Sequence, residues 1–223
     1  MSSNVVLTSS EKLLTHGKKI VAIGRNYAEH AKELGNAVPK EPFFFLKPTT
    51  SYIRSGGRIE LPKQSTDDSV HHEIELGVVI GSRGKDLSEE QAMSIVSGYI
   101  LALDITERTV QGQAKRAGKP WSMAKGFDTF CPISDSIVST ISPSARLWCK
   151  VNGEMRQDGS VQDMIFPIPK LISYISNVMT LEENDVILTG TPPGVGPIKA
   201  GDKIEGGLDD ILHLKFDVVG KGK

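Results

Sequence analysis

The stretch HHEIELGVVIG at residues 71–81 decides the fold, because its apolar and polar positions alternate as they do in a β-strand. One face of this strand carries Ile74, Leu76, Val78 and Ile80. Glu73 and Glu75 lie on the other face, roughly 6.5–7 Å apart along the strand. The sequence therefore predicts a strand that presents two acids on one side.

A second stretch, GYILALD at 98–104, is apolar on both faces and predicts a buried strand that ends at Asp104. If it pairs beside the first strand, Asp104 joins Glu73 and Glu75. The residues DITE at 104–107 predict the start of a helix that continues to about Ala117 and ends before Gly118 and Pro120.

The flanking sequence adds more strands and a few short helices. We expect strands in GKKIVAIGRNY (17–27), FFF (43–45), DVILTG (185–190) and ILHLKFDVV (211–219). Asn152-Gly153 predicts a hairpin. Short helices are expected in YAEHAKEL (27–34), ended by Gly35, and after Pro169, with apolar positions at Leu171, Ile172, Ile175, Val178 and Met179. Because strands dominate without regular βαβ alternation, the predicted fold class is α+β.

Composition excludes several classes of protein. Lysine and arginine number 26 against 27 acidic residues, so the net charge is −1. This balance provides no field to hold nucleic acid or an anionic membrane. No apolar run approaches the ~20 residues of a membrane helix, and two cysteines without a CxxC pair predict neither a zinc site nor a disulfide framework. We expect no nucleic-acid partner and no membrane partner.

The three acids form the first candidate site. Carboxylates about 4 Å apart repel by roughly 4 kcal/mol per pair at an effective dielectric constant of about 20. A divalent cation removes that cost, and all-oxygen ligation favours Mg²⁺, Mn²⁺ or Ca²⁺ over Zn²⁺. Two structural alternatives remain open here. Glu73 and Glu75 could form the solvated face of the strand, and Asp104 with Glu107 matches a helix capping box.

His30 and Glu33 form the second candidate site. At i and i+3 of a helix they are neighbours, so the carboxylate could orient the imidazole as a general base for water. The alternative is a solvated histidine beside a surface glutamate on a charged helix.

Cationic and polar residues form the third candidate. Lys125, in WSMAKGFD at 121–128, could be buried against an anion or could extend to solvent. Arg108 and Gln111 lie near the start of the predicted 105–117 helix, where a carboxylate could bind; surface positions are the alternative. The loop GTPPGVG at 190–196 is followed by no helix, which excludes a nucleotide loop and leaves a rigid wall for a small pocket.

Seven separated motifs occur in an order that closely resembles the fumarylacetoacetate hydrolase domain superfamily, and within it the small eukaryotic acylpyruvases and oxaloacetate-handling enzymes. They are IVAIGRNYAEHAKE, FFFLKP, HHEIELGVVIG, GYILALDITERTVQ, WSMAKGFDTFCP, VNGEMRQDG and ILTGTPPGVGP. The match runs from about Gly17 to the C-terminus. It favours the functional interpretation of each candidate over its structural alternative.

The resemblance implies a mixed β-sheet roll, assembled as a homodimer, with a Mg²⁺ or Mn²⁺ site between the sheets. By motif, the metal ligands are Glu73, Glu75 and Asp104. The catalytic residues are the water-activating pair His30 and Glu33, with Lys125 beside the metal and the substrate enolate. The substrate-binding residues are Arg108, Gln111, Thr191 and Arg25.

The implied activity is metal-dependent hydrolysis of acylpyruvates and decarboxylation of oxaloacetate, both through a stabilised enolate. An oxaloacetate keto–enol tautomerase is one alternative, and a non-catalytic protein that binds metal and dicarboxylate is another. The separate N-terminal domain of true fumarylacetoacetases is absent from this sequence, which argues against their substrate.

We expect residues 1–16 to form a short extension and residues 17–223 a single catalytic domain. The first twenty residues are rich in serine, threonine and lysine but lack arginine. They leave a mitochondrial and a cytoplasmic location both open.

Overall fold

A computed structural model describes residues 5–66 and 68–220 of the chain. Residues 1–4, 67 and 221–223, which belong to the expected extension and domain, lie outside the described residues.

Short strands dominate the described part of the chain, as the sequence predicted. In chain order they are β1 (Leu7–Ser9), β2 (Ile20–Ile23), β3 (Phe44–Lys47), β4 (Tyr52–Arg54), β5 (Arg58–Leu61), β6 (Val70–His72), β7 (Ile74–Ile80), β8 (Val96–Leu103), β9 (Thr106–Glu107), β10 (Cys131–Ile133), β11 (Ser136–Val138), β12 (Arg146–Val151), β13 (Glu154–Ser160), β14 (Val186–Leu188), β15 (Gly196–Pro197), β16 (Lys203–Leu208) and β17 (Leu212–Gly220). The α-helices are α1 (Glu11–His16), α2 (Ala28–Glu33), α3 (Glu89–Ala92), α4 (Arg108–Arg116), α5 (Ser122–Lys125) and α6 (Ile168–Val178).

The largest sheet is mixed. Its main path runs β1-β11-β8-β7-β14-β2-β3, and β10 joins it to β8 and to β4. The central pair β7–β8 is antiparallel, whereas β14 runs parallel to β2. A mixed sheet with few short helices confirms the α+β class.

A second sheet, in the order β13-β12-β16-β17-β5, packs against the first. Its β12–β13 hairpin turns at Asn152 and Gly153, whose φ angles of 54° and 81° fit a type I′ turn and confirm the predicted hairpin. The alternation of β17 is also confirmed, since Leu212, Leu214, Phe216 and Val218 are all buried. A small third sheet has the order β15-β6-β9.

Strand β7 is buried on both faces because it separates two apolar cores. The face predicted as apolar, with Ile74 and Val78, packs in the larger core together with Phe216 of the second sheet. Val79 points the other way and packs in a smaller core with Leu13 of α1. The strand is therefore a rigid support for whatever lies at its ends.

Helices α2 and α6 both end close to the residues that the sequence predicts. Helix α2 stops before Gly35, whose φ of 66° confirms the predicted C′ glycine. Helix α6 buries Leu171, Ile172 and Ile175, but Val178 is 60% exposed. The helix predicted after Pro169 is thus confirmed through Val178, its last residue, while Met179 follows outside it. None of the helices within residues 5–66 and 68–220 is long and apolar enough to cross a membrane.

Candidate active site

Three carboxylates meet where β7 begins and β8 ends. Ile74 pairs with Leu103 in the antiparallel ladder, so Glu73 lies beside Asp104. The backbone N–H of Asp104 donates to the carbonyl of Glu73 at 2.9 Å. One carboxylate oxygen from each of Glu73, Glu75 and Asp104 lies within 4.8 Å of the other two. The three side chains therefore converge, as the strand spacing predicted.

This acidic cluster is buried, with Glu75 and Asp104 each only 1% exposed. The interpretation of Glu73 and Glu75 as a solvated strand face is wrong. The loop after β14 covers Glu75, and helix α5 covers Glu73, since Gly190 and Lys125 donate to these carboxylates.

Asp104 does not cap a helix, so that alternative is wrong as well. Helix α4 begins at Arg108 rather than at 104 or 105, and Glu107 is its N-cap, accepting from the backbone N–H of Val110. The helix starts late because Thr106 and Glu107 pair with β6. Asp104 is left to face the other acids.

Three cations surround the acids. Lys125 Nζ lies 2.9 Å from Oε2 of Glu73 and 2.5 Å from Oδ2 of Asp104. Lys47 Nζ lies 2.7 Å from the other Asp104 oxygen, and Arg108 pairs with Glu73. Burial acts against ionisation, but Arg108 and Lys125 lower the pKa of Glu73. Burial favours the neutral amine of Lys125, but the charges of Asp104 and Glu73 outweigh this effect and raise its pKa.

Lys125 is 2% exposed, so the alternative that it extends to solvent is wrong. It ends the single turn α5, and its ammonium lies 4.9 Å from the ring centroid of Phe45. The structure thus holds this ammonium between two carboxylates and an aromatic ring.

Glu75 differs from its neighbours. It accepts from the backbone N–H of Gly190 at 2.7 Å, and among the described residues no lysine, arginine or histidine pairs with it within 4 Å. Burial, and then the charges of Asp104 and Glu73, raises the pKa of Glu75 well above its ordinary value. A buried set of carboxylate oxygens with one member lacking a cation fits a hard divalent ion.

The predicted pair on helix α2 also lies at this site. His30 Nδ1 lies 3.2 Å from Oε2 of Glu33, and Oε1 of Glu33 accepts from the backbone N–H of Gly194 at 3.0 Å. His30 is only 5% exposed, so the alternative of a solvated histidine is wrong. Burial lowers the pKa of His30, although Glu73 and Glu33 act to raise it. Burial therefore favours the neutral form of the imidazole.

Gly194 is required where it contacts Glu33. Its φ is +95°, and a Cβ atom there would lie 1.9 Å from the carbonyl oxygen of Arg156. This close approach of the loop to β13 is what places its N–H against the carboxylate.

Arg108 and Gln111 share one face of α4, and both line the same pocket as the acids. Nη1 of Arg108 donates to Oε1 of Gln111 at 3.1 Å. Gln111 is buried rather than a surface residue.

Two buried residues escaped the sequence analysis. Lys47 is the first. It lies in the motif FFFLKP, which by itself indicates no role for the lysine. Gln157 is the second. Its side chain accepts from Ile74 N at 3.0 Å and donates to Oγ1 of Thr191 at 2.7 Å and to the carbonyl of Pro192. Single polar residues in strands carry no pattern that would distinguish them from surface positions.

Thr191 ties the loop after β14 to the acidic strand, because its hydroxyl donates to the carbonyl of Ile74 at 2.7 Å. Arg25 follows strand β2 and has a φ of 56°, which is uncommon for a residue with a side chain. Both residues line the pocket.

The three acids open onto one pocket of the described structure, which is lined by charged, polar and aromatic side chains. Nine of the ten predicted site residues line it: Arg25, His30, Glu73, Glu75, Asp104, Arg108, Gln111, Lys125 and Thr191. Glu33, the tenth, contacts His30 from behind. The structure also adds wall residues that were not predicted, among them Asn36, Phe45, Lys115 and Trp121.

Comparison with known proteins assigns the chain to a family. The family described as fumarylacetoacetate (FAA) hydrolase C-terminal matches residues 19–219. The chain belongs to the fumarylacetoacetate hydrolase family.

Two curated members of this family illustrate the likeness in sequence. The mitochondrial oxaloacetate tautomerase FAHD1 of Arabidopsis thaliana is 54% identical over 211 residues, 93% of this chain and 94% of that protein. The mitochondrial oxaloacetate decarboxylase of Dictyostelium discoideum is 53% identical over 209 residues, 91% of this chain and 94% of that protein.

Solved structures show the same fold. Fumarylpyruvate hydrolase from Pseudomonas aeruginosa, in complex with Mn²⁺ and pyruvate, matches with a TM-score of 0.86 at 34% identity, covering 92% of this chain and 90% of that one. The 5-carboxymethyl-2-hydroxymuconate delta-isomerase from Mycobacterium smegmatis matches with a TM-score of 0.82 at 42% identity, covering 92% and 80%. These matches confirm the predicted mixed β-sheet roll of the family.

Proposed function

We propose that this chain is a divalent-metal enzyme that acts on 3-substituted pyruvates, hydrolysing acylpyruvates and decarboxylating oxaloacetate. The observation that carries the proposal is one pocket that combines a buried acidic cluster, a buried lysine and a histidine–glutamate pair. Relatives named for oxaloacetate chemistry and a structural neighbour that holds Mn²⁺ and pyruvate support it.

Glu73, Glu75 and Asp104 would hold the metal, for which we propose Mg²⁺ with Mn²⁺ as the second candidate. When bound, a divalent ion at this site supplies a Lewis acid for a 2-oxo acid. Three carboxylates and no nitrogen or sulfur ligand suit a hard ion of this kind.

Lys125 would add a fixed positive charge beside the 2-oxo group of the substrate. Its two carboxylate partners hold the ammonium in place before the reaction begins, so no reorganisation is needed when negative charge develops on the substrate. Arg108 and Gln111 would bind the adjacent carboxylate, with Thr191 and Arg25 lining the pocket around it.

His30 would act as the general base in hydrolysis. With Nδ1 hydrogen-bonded to Glu33, the neutral ring has Nε2 available to take a proton from water. The hydroxide formed attacks the distal carbonyl of an acylpyruvate, the C–C bond breaks, and C3 of pyruvate is protonated. Glu33 orients the ring and stabilises its protonated form.

The two reactions of oxaloacetate do not require the same residues to activate water. Loss of CO₂ leaves the same negative charge next to the 2-oxo group and requires no water. Exchange between the enol and keto forms requires only movement of a proton at C3. Since the relatives carry both the decarboxylase and the tautomerase name, oxaloacetate tautomerase is the second candidate activity.

A non-catalytic protein that binds metal and dicarboxylate is the third candidate, and it has the weakest support. A binding protein has no use for an oriented base, whereas His30 and Glu33 lie together in the wall of the pocket.

Two further properties belong to the proposal. We infer a homodimer from the family resemblance, which sedimentation of the purified protein would test. We infer a mitochondrial location from the names of the relatives, which tagging of the protein in its own cells would test.

The activity is tested by following pyruvate release and enol absorbance together, with acetylpyruvate and with oxaloacetate, in Mg²⁺ and in chelator. Pyruvate release that depends on Mg²⁺ supports the hydrolase and decarboxylase. Loss of oxaloacetate enol without matching pyruvate would favour the tautomerase. Mg²⁺-dependent ligand binding with no turnover would favour the binding protein.

A further inference from the structure

The face of helix α4 that lines the pocket extends beyond the residues assigned above. Arg108, Gln111 and Lys115 lie three and four residues apart, so they form one stripe, and all three line the pocket. Arg108 reaches Glu73 on the pocket floor. Lys115, about 10 Å further along the helix axis, remains accessible to solvent at the pocket mouth.

An aromatic pair holds two cations at this mouth. The ammonium of Lys115 lies 5.2 Å from the ring centroid of Trp121, and the guanidinium of Arg25 lies 5.7 Å from that of Phe43. The two rings contact each other edge to face at 5.8 Å. Arg25 and Lys115 therefore contact two neighbouring rings, and both residues line the same pocket.

These two cations differ from those that contact the acidic cluster, because among the described residues they have no counter-ion. Lys47, Lys125 and Arg108 each pair with a carboxylate of the acidic cluster. In the described part of the chain, neither Arg25 nor Lys115 has an acidic partner within 4 Å. Burial, and then the charges of Arg25 and Arg108, lower the pKa of Lys115, as expected for cations that crowd without an anion.

The backbone at Arg25 is also unusual. Its φ of 56° lies in a region that is uncommon for residues with a side chain, and Arg25 lines the pocket.

We propose that Lys115, held against Trp121, forms with Arg25 a subsite for the second carboxylate of a 2-oxo dicarboxylate. This inference rests on the proposed function and refines it by naming dianions as the preferred substrates. The floor would bind the 2-oxo acid end, and the distal carboxylate would neutralise the cations at the mouth. Monocarboxylate acylpyruvates lack that group and forgo this interaction.

Direct binding tests the subsite without turnover. L-malate and L-lactate are matched probes, because both are 2-hydroxy acids and malate alone carries a distal carboxylate. Titration calorimetry in Mg²⁺ would measure both dissociation constants for the wild-type protein, for Lys115→Met and for Lys115→Arg. Arg116→Met is the matched control, since it removes the same charge from the exposed side of the same helix.

The wild type is expected to bind malate more tightly than lactate. Lys115→Met should reduce that preference roughly tenfold, the scale of one charge-assisted hydrogen bond, while Lys115→Arg and Arg116→Met retain it. A wild type without preference for malate, or a Lys115→Met variant with the preference unchanged, would overturn the subsite. Failure of the proposed function alone would appear differently, as intact malate preference without turnover of any 2-oxo acid.

Discussion

Lys47 Nζ lies 2.7 Å from Oδ1 of Asp104, and neither side chain is more than 1% exposed. Nζ also donates to the carbonyl of Lys125 at 2.7 Å, so this lysine joins the strand β3 to the acidic cluster and to α5. Removal of one member of a buried ion pair leaves the charge of the other unpaired in a low-dielectric environment. Lys47 thus pairs with a carboxylate of the acidic cluster but does not itself line the pocket.

Lys47→Met should lower the free energy of unfolding by roughly 3–5 kcal/mol, because Asp104 then lacks one of its two buried cations. Urea denaturation followed by circular dichroism measures it. Lys40→Met, at an exposed loop position, is the control and should stay within about 0.5 kcal/mol of wild type. A Lys47→Met variant as stable as this control would show that the ion pair does not contribute to the free energy of unfolding.

Gln157→Leu should be strongly destabilising as well. Its amide serves four buried partners, namely His72, Ile74, Thr191 and Pro192. Each buried group left unpaired costs about 1–3 kcal/mol, so we expect a total loss of roughly 3 kcal/mol or more. Thermal unfolding compared with Gln113→Leu, an exposed change on α4, tests this. Equal melting temperatures for the two variants would contradict the role of Gln157 as a buried hub.

The acidic cluster was predicted partly from strand geometry and partly from the family resemblance. Alternation put Glu73 and Glu75 on one face, whereas the pairing that brings Asp104 to them was only a condition until the resemblance favoured it. The alternation of apolar and polar residues could not reveal whether the acidic face was exposed to solvent. That depended on the loop at Gly190 and on α5, both distant in sequence, closing over it.

The failures have equally specific causes. The start of α4 was misplaced because Asp104 and Glu107 fit a capping box, whereas pairing of Thr106 with β6 delays the helix. Lys47 and Gln157 were missed because a lone polar residue in a strand has no spacing partner. Lys115 was missed because nothing local separates it from its neighbour Arg116, although it lies on the stripe of Arg108.

His30→Asn should reduce acetylpyruvate hydrolysis by roughly 10²–10⁴ in kcat, the range for loss of a general base. Oxaloacetate enol–keto exchange, which needs no water as a nucleophile, should fall much less. Steady-state assays of both reactions on the same preparation measure the split. Glu29→Gln, on the exposed face of the same helix, should leave both rates near wild type. Equal losses in the two reactions would remove the basis for a water-activating role.

Both cysteines should be inert in the folded protein. Burial raises the pKa of Cys131 and of Cys149 to about 12, above the ordinary thiol value, so at pH 8 both thiols remain protonated and unreactive. Because the folded pKa lies above the unfolded one, these thiols disfavour the folded state only as the pH rises beyond about 9. A thiol reagent at pH 8 should react slowly with native protein and rapidly in denaturant. Complete labelling of native protein within minutes would contradict this burial.

The central claim is that Glu73, Glu75 and Asp104 bind one divalent ion, and Glu75→Gln addresses it most sharply. Glutamine keeps an oxygen for the N–H of Gly190 and removes one of three like charges. The metal-free variant should therefore be as stable as wild type or more so at pH 7. Glu89→Gln, an exposed acid, is the control.

The deciding measurement is a titration of the metal-free protein with Mn²⁺, with free Mn²⁺ followed by electron paramagnetic resonance. Wild type and Glu89→Gln should bind one ion per chain. Glu75→Gln should bind it at least roughly a hundredfold more weakly, since loss of a direct ligand exceeds the effect of an outer-shell change. Unchanged Mn²⁺ affinity in Glu75→Gln, or no binding by wild type, would contradict the account.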